Sequence, residues 1–241
     1  MEFPAGLLGV ALGTVLLPSL SRHYASHSNE AYSRLLDWGL RLTVLLTLPA
    51  SVALALLATP LITTLFYYGA FTAEDVWMTR QALIAYSFGL LGLIMVKVLA
   101  PGFYARQNIK TPVKIALLTL VTTQVMNLIF IIPLQHAGLA LAIGLGACLN
   151  AGLLYYKLRS HDIYQPLPGW PKFMVKVLVA VLVMSATLWF TSGSDMLWLH
   201  MTAMNRALHL TFTVCIGAMA YFMTLWLLGF RLKDFSQFGT H

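Results

Sequence analysis

The chain has 241 residues, of which 59% are hydrophobic and only 10% charged, with a formal net charge of +7. A soluble domain carries about 25% charged residues, and eight acids with fifteen bases cannot cover the surface of a 26.6 kDa globule. Soluble globular and disordered classes are excluded, which leaves a polytopic membrane protein.

At about 20 residues per span, seven helices use the whole chain. Seven apolar runs are read at residues 3–20, 40–66, 82–100, 115–134, 139–156, 173–190 and 208–230. The predicted fold class is all-α, a bundle of about seven transmembrane helices. No period-two alternation points to a β-barrel.

The first run carries Gly6, Gly9 and Gly13 between Pro4 and Pro18. Small residues at this spacing let helices approach closely, and the prolines predict a bent helix. Glu2 stands where a signal peptide would carry a basic region, so the run is read as a span. A helix that begins at residue 3 is expected to be a span whose upstream part is absent.

Residues 28–41 read as an amphipathic helix lying along the cytoplasmic interface. Ser28 or Asn29 can cap it, and Glu30–Arg34 and Asp37–Arg41 are (i, i+4) ion pairs in the favoured order. Leu35, Leu36 and Trp38 give it apolar area. After the second run, Tyr67 and Tyr68 suit a membrane interface. Thr72 is the expected N-cap of the next helix, with Glu74 and Asp75 in its first turn.

The third run contains Lys97, and Pro101-Gly102 is expected to end it. Thr111-Pro112 is expected to cap and open the fourth. Gln124 and Asn127 lie one turn apart there, on one face. A tight turn at 135–138 separates this run from the fifth, which contains Asn150. Pro166, Pro168 and Pro171 make a stiff connector before the sixth run.

All but two of the fifteen Lys and Arg residues fall on one side when loops are assigned alternately. That side holds Arg22, Arg34, Arg41, Lys97, Arg106, Lys110, Lys114, Lys157, Arg159, Lys172, Lys176, Arg231 and Lys233; the other keeps Arg80 and Arg206. Basic loops stay in the cytoplasm, so the C-terminus is expected inside and the N-terminus outside. The positive charge is thereby explained by topology and anionic membrane lipid, with no nucleic-acid partner.

An ionisable or polar residue inside a membrane is a functional candidate by default. The candidates are Glu2, Lys97, Gln124, Asn127 and Asn150. Each has a plainer alternative: Lys97 can snorkel to the interface, the amides can be interhelical hydrogen bonds, and Glu2 can be a solvated end. Enzymatic chemistry is not expected. Ser19 and Ser185 have no nearby base, the seven histidines lack metal-ligand spacing, and Gly144-Leu145-Gly146 has no phosphate-loop context. Cys148 and Cys215 sit in apolar runs, which argues against a disulfide framework or a zinc site. No metal and no cofactor is expected.

The stretches MEFPAGLLGVALGT (1–14), VKVLAPGFYAR (96–106) and NIKTPVK (108–114), with the surroundings of Asn127 and Asn150, resemble the MurJ (MviN) lipid II flippases of the MOP exporter superfamily. The resemblance implies an inner-membrane protein of cell-wall biogenesis. It moves lipid II, an undecaprenyl-pyrophosphate-linked disaccharide peptide, from the cytoplasmic to the periplasmic leaflet by alternating access. It further implies that this chain corresponds to spans 8–14 of fourteen, with an N-terminal lobe as its missing partner. Residues 1–158 would be the second lobe of the core, and 159–241 two extra spans and a cytoplasmic tail. A cationic central cavity would take the headgroup, and a groove along 173–190 and 208–230 the polyprenyl tail. The alternatives are another MOP-type exporter of polyprenyl glycans or drugs, and a non-transporting membrane scaffold.

Overall fold

A computed structural model describes residues 3–230, with side chains from residue 13 onward. The described residues form helices only: α1 (Phe3–Ala25), α2 (Asn29–Leu56), α3 (Ala58–Phe66), α4 (Ala73–Leu99), α5 (Pro101–Tyr104), α6 (Lys110–Ser160), α7 (Trp170–Ser192), α8 (Asp195–His200) and α9 (Ala203–Leu227). Five of them are long and apolar enough to cross a membrane, counting α4 and α5 as one rod.

The 51 residues of α6 are not one straight rod. Gln135 has φ 47° and ψ −122°, and a Cβ on Gly138 would lie 2.4 Å from the carbonyl oxygen of Phe130. A Cβ on Gly146 would likewise meet the hydroxyl of Thr123 at 2.1 Å. Residues so far apart in sequence meet only if the helix folds back. α6 is therefore an antiparallel hairpin of two arms, 110–134 and 136–160, turning where the sequence predicts. With the 23-residue α1, the described chain supplies seven rods of membrane length.

The second run differs from expectation. Residues 28–41 do not form a separate interfacial helix but are the first turns of α2, which runs unbroken into the span. Leu36 is fully buried and Leu35 nearly so, because this face packs into the protein core with α4, α5 and α6. Ser28 is the N-cap by position, but its side chain makes no capping bond. The run then breaks at Leu57. Pro60 has no N–H to offer the carbonyl four residues back, that of Leu56, so α2 ends there and α3 begins.

Pro49 lies inside α2 without breaking it. It frees the carbonyl of Leu45, and the Tyr221 hydroxyl on α9 donates to that oxygen at 2.6 Å. A backbone group that would otherwise be unpaired in an apolar medium thus becomes a tie between spans. Pro101 does not end its helix either. Ala100 stays in the α region, and the chain remains helical to Tyr104. The turn comes at Gln107, whose φ is 58°. Burial of Pro101, Gly102 and Phe103 holds the proline in the rod. The cap of α6 is also shifted: Asn108, not Thr111, accepts a bond, from the Thr111 N–H at 3.2 Å. Thr72 caps α4 as expected, in a reciprocal capping box with Asp75.

One end of the bundle is tied by Asp37, only 1% exposed. Its Oδ1 accepts from the Tyr164 hydroxyl at 2.6 Å, Trp170 Nε1 at 2.7 Å and the Leu167 N–H at 3.1 Å. Its Oδ2 accepts from Arg41 at 2.7 Å. Burial, with the bond to the Asp37 carboxylate, pushes the Tyr164 hydroxyl well above its ordinary pKa. The Arg41 guanidinium also bonds the carbonyls of Leu167 and Pro168 and lies 5.3 Å from the Trp170 ring. The connector 161–169 is stapled to α2 by the Asp37 carboxylate and Arg41, and by the Ser33 hydroxyl, which bonds both the N–H and the carbonyl of Gln165. The sequence shows only the Asp37–Arg41 pair.

Helix α4 and the 136–160 arm approach to backbone contact. A Cβ on Gly89 would lie 2.0 Å from the Cα of Gly144, and one on Gly92 would lie 2.5 Å from the backbone nitrogen of Cys148. Such close approach is available only to small residues. Outside this seam, the hairpin is clad in exposed apolar side chains such as Leu117, Leu128 and Ile132, the surface a lipid-facing helix requires.

Two substitutions test this packing. Gly89→Ala is expected to lower stability by about 3 kcal/mol, because the added methyl meets backbone. Gly152→Ala, with open space around its Cβ, is expected to raise stability by up to about 1 kcal/mol. Thermal unfolding of both variants in detergent measures the difference. By the same measurement Asp37→Ala is expected to lose about 3 kcal/mol, since it strands a cation and three neutral donors. Asp37→Asn keeps one acceptor oxygen and is expected to lose less.

Candidate functional site

The seam between α4 and α6 fixes the walls of a cavity of about 390 Å³. From α4 it is lined by Leu93, Val96 and Lys97. From the 110–134 arm it is lined by Thr119, Thr123 and Gln124, and from the 136–160 arm by Gly146 and Asn150. Three sequence candidates, Lys97, Gln124 and Asn150, are thereby brought to one place from three helical rods. Lys97 is half-buried, Gln124 exposed and Asn150 half-buried.

Asn127 lies one turn along from Gln124 and donates to its Oε1 at 3.4 Å. Asn127 does not line the cavity with the other three. Its Oδ1 is buried without a hydrogen-bond partner. Glu2 lies outside the described residues. Pro4, Gly6 and Gly9 belong to α1, and their side-chain surroundings also lie outside what is described. Gly13 faces α4, where an added Cβ would sit 3.7 Å from the Lys97 carbonyl, the acceptor that Pro101 leaves without its helical donor. Pro18 is exposed within a continuous α1. A Cβ on Gly102 would touch the Leu36 side chain at 3.3 Å, and its carbonyl accepts from the Tyr32 hydroxyl.

The lining offers a cation, two carboxamides and two hydroxyls in an otherwise apolar surround. Such a set binds anionic and hydroxyl-rich groups by charge-assisted hydrogen bonds. It contains no nucleophile–base pair, and among the described residues no His, Cys, Asp and Glu cluster suits a metal. Thr119 and Thr123 were not legible as lining residues. Threonine in a span commonly bonds its own helix, as Thr119 does to the Ile115 carbonyl at 2.8 Å. Gly146 was the available signal, because its missing side chain admits the Thr123 hydroxyl.

A family model described as lipid II flippase MurJ matches residues 1–209. The chain belongs to the MurJ lipid II flippase family. The lipid II flippase MurJ of Burkholderia cenocepacia is 48% identical over 238 residues, which cover 98% of this chain and 46% of that protein. The probable lipid II flippase MurJ of Vibrio cholerae is 39% identical over 234 residues, 97% of this chain and 45% of that protein. A solved structure titled lipid II flippase MurJ, inward closed conformation, superposes with a TM-score of 0.75 at 26% identity. It covers 92% of this chain and 43% of the solved one. The chain thus spans a little under half the length of these MurJ relatives. The fold is that of a MOP-type transporter, and the relatives are named as flippases, not enzymes.

Proposed function

We propose that this chain forms one wall of a lipid II flippase of the inner membrane. The wall works against an N-terminal lobe, so that the headgroup passes from the cytoplasmic to the periplasmic leaflet by alternating access. The observation that carries this reading is the convergence of Lys97, Gln124 and Asn150 on one cavity in a chain of the MurJ family. A pyrophosphate cannot enter hydrocarbon uncompensated. A cation with flanking amides lowers that barrier, and no covalent step is required.

In this reading Lys97 pairs with the pyrophosphate, while Gln124 and Asn150 bond sugar or phosphate oxygens. Asn127 holds Gln124 in place. Glu2 orients a neighbouring cation and does not touch the anion itself. Gly13 and the Pro101-Gly102 pair keep α1, α2 and α5 close behind the Lys97 wall. Residues 1–158 are the lobe that lines the path, and 159–241 are two additional spans and a tail.

The test is complementation of a MurJ-depleted strain by a full-length protein that carries this sequence as its second half. Lys97→Ala is expected to reduce growth rescue and lipid II binding at normal expression, and Lys97→Arg to keep much of both. Full rescue by Lys97→Ala would show that the side chain snorkels and takes no part.

The same reading places the end bearing Asp37 and the connector 161–169 in the cytoplasm, where the basic residues gather. The end bearing Arg206 then faces the periplasm. In that full-length protein, cysteine at Ser194 is expected to react with an impermeant maleimide added to the periplasm, and cysteine at Ser236 is not. The reverse pattern refutes the orientation.

A further inference from the structure

We propose that α3 is a hinged half-helix, with its joint at Leu57 and its far end latched by Arg206. The outer half of the second span can then move while the inner half stays fixed.

The joint is written in the backbone. Pro60 deprives the Leu56 carbonyl of its helical donor, and Leu57 serves as C-cap of α2 and N-cap of α3 at φ −94° and ψ 19°. A helix interrupted by a proline concentrates its bending at that point.

The latch is a buried cation. Arg206, on the first turn of α9, is 5% exposed. Among the described residues it makes no ion pair with an acid. Instead its guanidinium donates to the carbonyls of Thr63 at 3.2 Å, Tyr67 at 3.3 Å and Leu199 at 3.0 Å. It also lies 4.8 Å from the centre of the Tyr67 ring. Thr63 and Tyr67 are at the C-terminal end of α3, and Leu199 is at that of α8. One guanidinium therefore caps two helix ends, where unpaired carbonyls and the helix dipole favour a cation. The arginine side is tied to its neighbours. His209, one turn further along α9, ties that helix to α7 through the Thr191 carbonyl at 2.9 Å, and its ring lies 4.8 Å from that of Trp198, tilted by 40°.

The two ends of the second span are held by different physics. At the Asp37 end, separating the pieces leaves a carboxylate and a cation buried apart, which is strongly resisted. At the Arg206 end, separation parts a cation from neutral carbonyls only, that of Thr63 buried and those of Tyr67 and Leu199 part-buried, so no opposite charge is left buried behind it. The Nε of Arg206 is buried without a hydrogen-bond partner among the described residues, so the latch leaves one of its own donors unused.

Hydrogen–deuterium exchange on the 241-residue chain in lipid nanodiscs tests the device. In the unmodified chain, amides of 58–66 are expected to exchange faster than those of 29–56. Arg206→Met should raise exchange at 58–66 about tenfold while α6 is unchanged. Arg206→Lys should raise it less, because an ammonium retains the charge but not the fork. Pro60→Ala, which returns a donor to the Leu56 carbonyl, should slow exchange at 58–66. The proposal fails if residues 58–66 are unaffected by both Arg206→Met and Pro60→Ala. It fails equally if Arg206→Met raises exchange uniformly across α4 and α6, which marks a general structural role. If Arg206→Met yields no folded chain, Pro60→Ala decides alone, and unchanged exchange there overturns the hinge. None of these readouts depends on which lipid is carried.

Discussion

The contact of Gly89 with Gly144 is the constraint on which the candidate site depends. In a membrane, apolar side chains gain little by leaving lipid for one another, so helices associate through close van der Waals packing. Here two backbones meet with no room for a methyl group. That approach places Lys97 on α4 opposite Asn150 on the far arm of α6. The hairpin turn at Gln135 brings the near arm, with Thr123 and Gln124, into the same wall. A wider seam at Gly89 would separate the three polar groups.

Prolines organise the rest of the bundle through the helical donors they withhold. Pro49 frees Leu45, and Tyr221 takes the bond, so a local defect in α2 becomes the tie to α9. Pro60 frees Leu56, and the helix breaks into α2 and α3. Pro101 withholds the helical donor from the Lys97 carbonyl, and tight burial carries the helix on to Tyr104. The same residue type gives a tie, a joint and a continuous rod. The difference lies in what packs beside each one.

Among the described residues, two buried charges outside the cavity, Asp37 and Arg206, divide the second span into unlike halves. Asp37 gathers one cation and three neutral donors and fixes the connector 161–169. Arg206 gathers only carbonyls. The alternating access proposed for this family member requires one region that holds and another that yields. The partners of these two residues differ in that sense.

Composition and periodicity determined the membrane class, the number of rods, the fold-back near Gln135 and the segregation of positive charge. These follow from transfer energies and run lengths that every residue carries with it. Thr72 was readable as a cap for the same reason, since capping is local. The sequence also marked Lys97, Gln124 and Asn150 as costly in lipid, but not that they share a cavity. That convergence depends on which faces of α4 and α6 meet, set by Gly89 against Gly144 and Gly92 against Cys148, and on how the arms of α6 meet, set by Gly146 against Thr123. Residues 28–41 show the limit most clearly. Their amphipathic pattern suits a membrane surface as well as a protein core. Only the packing of Leu36 against its neighbours, and the donors that reach Asp37 from more than 120 positions away in the chain, decided between the two. Long-range contact, not local preference, determines which partner an apolar face or a buried charge finds.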